Sequence, residues 1–132
     1  MKSLPQSDAT LLIRTDFSDP EGWEALRTAV TTPNDDDFAA NLHLVDDPAY
    51  RDVSAEQLAA LASDSLFIVA DKLAISSAER PLLSVYRSEA GTEQLRVIAE
   101  ELWSIENNIA LANMDWDEFT SAADEDGVFR GF

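Results

Sequence analysis

The run Ser65-Leu66-Phe67-Ile68-Val69-Ala70-Asp71 decides the fold of this chain, because it is the most apolar segment of the 132 residues. Its short length, its β-branched and aromatic residues and its polar flanks are typical of a buried strand. We predict a central strand over residues 65–71, which Asp71-Lys72 ends.

Two more strand segments precede this run. Residues 10–17 (TLLIRTDF) are a short, mostly apolar stretch of β-compatible residues, and residues 40–45 (ANLHLV) are a second. Asp46-Asp47-Pro48 ends the second segment with turn-forming residues. We predict that both segments join the central strand in one sheet.

Helix signals separate the three strands. Asp19 followed by Pro20 is a strong helix start. The residues predicted to face inward from this helix are Trp23, Leu26, Ala29 and Val30. Ser54 and Gln57 form a capping box that begins a second helix. Because right-handed crossovers join strands through such helices, we expect the first three strands to be parallel.

The pattern changes after the central strand. Residues 80–86 and 94–98 are strand-like and are joined by a polar, glycine-containing turn at residues 88–93, which predicts a hairpin. The predicted fold is a single α/β domain over residues 1–132, with residues 1–8 flexible. Helices pack on a mixed sheet of about five strands, the first three parallel and then the hairpin, in two or three layers.

The stretch LWSIENNIALANMDWDEF, residues 102–119, combines an apolar helical stripe with side-chain amides and carboxylates. The stripe consists of Leu102, Ile105, Ile109 and Ala112, at i, i+3, i+7 and i+10. Asp115 and Glu118 resemble a capping box for a further short helix. We therefore predict two helices that meet in a corner at residues 113–115.

The asparagines of this stretch, Asn107, Asn108 and Asn113, are poor helix formers and need an explanation. In one interpretation Asn113 ends the helix, and Asn107 and Asn108 cap a neighbouring loop or strand edge. In the other, the amides form a cluster that recognises a partner's backbone or a polar ligand. The sequence leaves both open.

The net charge of −17, from 26 acidic and 9 basic residues, limits the partners of this chain. Binding to nucleic acid or to an anionic membrane requires Lys and Arg, so neither is expected. Three interpretations of the charge are left: solubility, a basic protein partner, or mimicry of a nucleic-acid backbone.

Other global features narrow the chemistry. The chain has no cysteine, so a thiolate metal site and a cysteine nucleophile are excluded. The first eight residues resemble no secretion signal, and no run approaches the length of a membrane span. The four glycines are scattered and form no phosphate-binding loop. We expect a cytoplasmic location and no cofactor.

A family resemblance rests on several segments together. They include LLIRTDF (11–17), VDDP (45–48) and ERPLL (79–83), and above all ELWSIENN (101–108), ANMD (112–115) and the ending DGVFRGF (126–132). Over nearly its whole length the chain resembles an actinobacterial family known as a domain of unknown function. The resemblance implies a single cytoplasmic domain and brings no reaction, ligand or catalytic residue with it.

Acidic residues also follow the predicted parallel strands. Asp16 follows the first, Asp46 and Asp47 follow the second, and Asp71 follows the third. The carboxyl ends of parallel strands are the usual ligand position in an open α/β sheet. Carboxylates there could bind Mg²⁺ and a phosphoryl group, although Asp also ends strands for ordinary turn reasons.

We favour a small acidic, non-enzymatic module that binds a protein partner of basic charge. The only histidine, His43, lies in a predicted strand, and no second histidine or thiol completes a catalytic set. The alternative is a magnesium-dependent phosphoryl-transfer or phosphate-binding domain. The predicted binding residues are Trp103, Glu106, Asn107, Asn108, Asn113, Asp115, Arg130 and Phe132. The sequence leaves open whether the chain forms an oligomer.

Overall fold

A computed structural model describes residues 2–132. The strands are β1 (Thr10–Arg14), β2 (Leu42–Val45), β3 (Leu66–Ala70), β4 (Pro81–Ser88), β5 (Gly91–Ile98) and β6 (Val128–Phe129). The helices are α1 (Pro20–Thr31), α2 (Ala55–Leu61), α3 (Lys72–Ser76), α4 (Leu102–Ala110) and α5 (Trp116–Ser121). Short 3₁₀ turns occupy Pro48–Tyr50 and Ala99–Glu101.

All of these strands form one mixed sheet in the order β2-β1-β3-β4-β5-β6. β1 is parallel to both β2 and β3, which confirms the predicted parallel trio. β4 is antiparallel to β3 and to β5, which confirms the hairpin. The sheet has six strands where about five were predicted, because β6 adds two residues parallel to β5 at the edge.

Helices cover both faces of the sheet, which makes three layers. On one face, α1, α3, α4 and α5 enclose a core that includes Leu12, Ile68, Leu82 and Val97 of the strands. On the other face, α2 and Tyr50 cover Ile13, Phe67, Val69 and Val85. Every residue of β3 is buried, as its prediction as a central strand requires.

Helix α1 begins as predicted, with the Asp19 carboxylate accepting the Gly22 N–H at 2.9 Å. A Cβ on Gly22 would lie 2.6 Å from the carbonyl oxygen of Ile75, so the glycine permits α1 to approach α3 closely. Trp23, Leu26 and Val30 are buried. The inward orientation predicted for Ala29 is wrong, since this residue is exposed.

The predicted corner between two helices is confirmed. α4 ends at Ala110, and Ala112 has a left-handed φ of 56°. Leu102 and Ile105 are buried as predicted, but Ala112 lies beyond the helix and is exposed, so the predicted stripe is one member too long. The Glu118 carboxylate accepts the Asp115 N–H at 2.9 Å and so completes the capping box of α5.

The N-terminal segment contacts the α2 side of the domain. The Tyr50 hydroxyl donates to the carbonyl oxygen of Ser3 at 2.6 Å, and Leu4 packs against the core on that face. Met1, the first of the residues predicted to be flexible, lies outside the described residues. In residues 2–132, none of the helices has both the length and the apolar character that a membrane crossing requires.

Candidate functional site

Glu106, a predicted binding residue, is a buried carboxylate that joins α4 to two strands. Its Oε1 accepts the Asn41 N–H at 2.6 Å just before β2, and its Oε2 accepts the Thr10 hydroxyl at 3.0 Å at the start of β1. Only 2% of the residue is exposed. Its carboxylate is therefore directed into the domain.

The three asparagines of this stretch have different environments. The Asn107 amide donates to the carbonyl oxygens of Ala39 at 3.1 Å and Trp103 at 2.7 Å, so it joins α4 to the segment before β2. The Asn108 amide donates to the Ser104 carbonyl oxygen at 2.8 Å, within its own helix. Asn113 is exposed in the corner next to Asp115. Asn107 thus fits the interpretation of an amide that caps a neighbouring loop.

Trp103 lies in the wall of an open cavity of about 410 Å³ between the end of α1, residues 33–40 and the start of α4. Its ring is stacked on Phe38 at a centroid distance of 5.0 Å and an interplanar angle of 10°. Phe38 is 49% exposed. Asp35 and Glu100 also line this cavity, which we call the Trp103 groove.

A second cavity, of about 290 Å³, adjoins the Trp103 groove and shares Ala29, Ala99 and Glu100 with it. Glu79 and Arg80 lie at its far end. Partial burial, and then the neighbouring Glu100 carboxylate, raise the pKa of Glu101 above its ordinary value. The surface from Trp103 to Glu79 is thus continuous, and its charged lining residues are the acids Asp35, Glu100 and Glu79 and the base Arg80.

Arg130 connects this surface to the C-terminal tail. Its guanidinium donates to Glu79 at 2.9 Å, to Asp124 at 2.8 Å and to Asp126 at 2.7 Å. The three carboxylates raise the pKa of Arg130, and the hydrogen bond from Arg130 lowers the pKa of Asp126. This arginine is therefore occupied by ion pairs within its own chain.

The aromatic residues of the tail pack against α5. Phe129 is fully buried and contacts Phe119 edge-to-face at 5.2 Å. Phe132 contacts both rings but is 74% exposed. Of the two aromatic side chains among the predicted binding residues, Phe132 is thus more exposed than Trp103.

Replacing Arg130 with alanine is expected to lower the melting temperature at neutral pH and to loosen β6. Because Arg130 lowers the pKa of Asp126 below its usual 3.8, the stability that this pair adds is present at neutral pH and is lost as the pH falls through that lowered pKa. The difference between wild type and Arg130→Ala should therefore shrink below about pH 4. Thermal unfolding across pH measures this.

The control for this experiment is Arg27→Ala. Within residues 2–132, Arg27 forms an ion pair only with Glu24, and both side chains are more than half exposed, so the change should have little effect. Added salt should also reduce the effect of Arg130→Ala by screening. An equal loss of melting temperature at all pH values and salt concentrations would instead mean that the aliphatic part of Arg130 acts by packing.

The four acids predicted for a metal site are each engaged separately. The Asp46 carboxylate accepts a hydrogen bond from Arg14 at 3.1 Å, and Asp16 accepts one from the Ser18 hydroxyl at 2.9 Å. The Lys2 ammonium lowers the pKa of Asp47 through a hydrogen bond. Asp71 pairs with both terminal nitrogens of Arg96, at 2.8 and 2.7 Å, and caps α3.

The structure brings only two of these acids together. Asp16 and Asp71, with Asp52 and Lys72, line an open cavity of about 290 Å³ between the carboxyl ends of β1 and β3, where the strand order reverses. Asp46 and Asp47 do not line it. Among residues 2–132, His, Asp and Glu form no group of three that could hold a metal ion.

Sequence reasoning missed most of the groove. It found Trp103, but it did not single out Phe38 or Asp35, which lie more than 60 residues before Trp103 in the sequence. The isolated Phe38 next to three consecutive aspartates in a loop was the available signal, because an aromatic residue in such a polar segment needs a packing partner.

The fold and the groove together define a small mixed α/β domain with an acidic, aromatic-walled surface. Residues 9–132 match the model of the family described as Domain of unknown function (DUF6924), and the chain belongs to this family. The match confirms the resemblance inferred from the sequence segments, while the actinobacterial origin stays a prediction. The comparison with curated proteins finds no match.

Proposed function

We propose that this chain is a small, acidic, non-enzymatic module in the cytoplasm that binds a basic partner protein through the Trp103 groove. The observation that carries the proposal is one cavity that combines two features: the half-exposed Phe38 stacked on the partly buried Trp103, and the carboxylates of Asp35 and Glu100. Exposed aromatic side chains of this kind are enriched in protein interfaces.

Charge supports a basic partner. No Lys or Arg from the described part of the chain lines the Trp103 groove. The net charge of −17 adds a long-range attraction that would increase the rate of encounter with a basic protein. Arg130, the arginine of the tail, is already paired with three carboxylates. It therefore leaves the acids of the groove free to bind a ligand.

The predicted binding residues then have different roles in the proposal. Trp103 contacts the partner directly. Glu106 and Asn107 act indirectly, because their hydrogen bonds to Asn41 and Ala39 hold the segment that carries Phe38. Arg130 and Phe132 lie beyond the adjoining cavity and would extend the contact only for a large partner.

The test is capture from a native lysate at low salt, followed by elution with increasing salt and mass spectrometry. We expect a basic protein that elutes at moderate salt and is lost with Trp103→Ala. The matched control is Leu111→Ala, which removes a 69% exposed side chain outside the groove and should retain the partner. Equal retention by both variants would contradict the proposal.

The cavity at the reversal of strand order favours a second candidate, a magnesium-dependent or phosphate-binding site, because ligands of open α/β sheets bind at this position. If it holds Mg²⁺, millimolar Mg²⁺ should raise the melting temperature of the wild type and not of Asp16→Asn. Asp36→Asn, an exposed change elsewhere, is the control. An equal response of all three proteins would count against a site at Asp16.

A further inference from the structure

We propose that the occupant of the Trp103 groove is an arginine side chain in an extended basic segment of the partner. This inference rests on the proposed function and makes it chemically specific. The groove offers the two features that a guanidinium binds best, an aromatic surface and unpaired carboxylates.

The aromatic surface is the first feature. Phe38 packs against Trp103 on one side, yet it lines the groove and is 49% exposed. A flat guanidinium stacks on such a ring by cation–π attraction and loses little hydration, whereas an ammonium is held more strongly by water.

The carboxylates are the second feature. Asp35 and Glu100 line the groove, and neither forms an ion pair with any residue from 2 to 132. By contrast, Glu79, Asp124 and Asp126 on the adjoining surface are already paired with Arg130. The groove therefore offers an incoming arginine two unpaired carboxylates beside an aromatic surface, and a guanidinium can donate two N–H groups to one carboxylate.

The same chain already contains this arrangement. The guanidinium of Arg14 lies 4.3 Å from the centre of the Phe17 ring and 5.1 Å from that of Trp23, and it donates to Asp46 at 3.1 Å. There an aromatic surface and one carboxylate hold an arginine whose side chain is only 9% exposed. The Trp103 groove supplies the same groups without the arginine.

The groove is also rigid enough to select a ligand. The Asn34 side chain accepts the N–H groups of Asp36 at 3.0 Å and Phe38 at 2.9 Å, which fixes the loop. Asn107 and Glu106 hold the next residues, Ala39 and Asn41. A loop that is ordered before binding lowers the entropy lost on binding. The volume of about 410 Å³ accommodates one long side chain with its backbone.

Three short peptides test the inference: acetyl-Gly-Gly-Arg-Gly-Gly-amide and the same peptide with lysine or with uncharged citrulline in place of arginine. The readout is the NMR signal of the Trp103 indole N–H during titration. Trp23 and Trp116 are 2% and 4% exposed and serve as internal references. We expect the arginine peptide to shift the Trp103 signal alone, with weaker binding of the lysine peptide and none of citrulline.

Charge variants complete the experiment. Asp35→Asn combined with Glu100→Gln should weaken the arginine peptide about tenfold, the loss expected for one charged hydrogen-bond pair. The matched control is Asp64→Asn combined with Glu125→Gln, which removes the same charge from exposed positions outside the groove and should change the affinity less than about twofold. Equal weakening by both pairs would overturn the inference in favour of net charge alone.

The outcomes separate the inference from the proposed function. Equal binding of the citrulline or the lysine peptide overturns the assignment of arginine. If no peptide binds but Trp103→Ala still loses the captured protein, the inference fails and the proposed function stands. If no peptide binds and no Trp103-dependent partner is captured, both fail.

Discussion

Replacing Phe129 with alanine is expected to lower the free energy of unfolding by about 3–5 kcal/mol, the usual range for removing a buried phenylalanine. Phe129 is fully buried, contacts Phe119 edge-to-face at 5.2 Å, and belongs to the two-residue strand β6. Its loss would leave a cavity beneath α5 and remove most of what holds β6 against β5. Urea unfolding measures the change directly.

The control for Phe129→Ala is a substitution of Phe132, which contacts the rings of both Phe129 and Phe119. Phe132→Ala removes a ring of the same size that is 74% exposed, so the expected change in the free energy of unfolding is within about 1 kcal/mol. Hydrogen exchange at Val97 and Phe129 should increase in Phe129→Ala and not in Phe132→Ala. Similar losses of stability in the two variants would mean that Phe132 is part of the core.

Local signals were sufficient for most of the fold. The cap at Asp19, the capping box of Ser54 and Gln57 and the apolar run at residues 65–71 each specify an element through interactions within a few residues. Helix α3 was missed because five residues carry too short a periodic pattern, although its cap, Asp71, was visible. The same aspartate had been interpreted only as a strand end and a metal ligand.

The two-residue strand β6 illustrates what local signals cannot give. Val128 and Phe129 become a strand only because β5 offers them a free edge and Phe119 offers a packing surface. Gly127, just before β6, has a φ of 81°, which suits glycine and turns the chain into this strand. The sequence could not indicate which edge the tail joins, because that choice depends on contacts about 30 residues apart.

The candidate site was harder to predict for the same reason. The helical stretch 102–119 indicated that Trp103 and Glu106 lie on one helix, but their environments are opposite: Trp103 faces a groove and Glu106 is buried against Thr10 and Asn41. The sequence alone led us to predict both Trp103 and Glu106 as binding residues. The difference is decided by the contacts of Glu106 with Thr10 and Asn41, which precede it by 96 and 65 residues.

Replacing Glu106 with alanine is expected to destabilise the domain by about 3 kcal/mol, because two hydrogen bonds to a buried carboxylate are lost. The Asn41 N–H at 2.6 Å and the Thr10 hydroxyl at 3.0 Å would both lose their acceptor. The segment that carries Phe38 should loosen as well, so the arginine peptide should bind more weakly. Thermal and urea unfolding measure the first effect, and the titration measures the second.

Glutamine at position 106 separates shape from charge. Its carbonyl oxygen can accept the Asn41 N–H, and its amide can donate to the Thr10 oxygen, since a hydroxyl both donates and accepts. Glu106→Gln should therefore stay within about 1 kcal/mol of the wild type and keep the peptide affinity. Asn113→Ala, an exposed change in the nearby corner, is the control and should leave both measurements unchanged. If Glu106→Gln folds normally but loses the partner, the charge of Glu106 takes part in recognition, and its assignment to holding the loop is wrong.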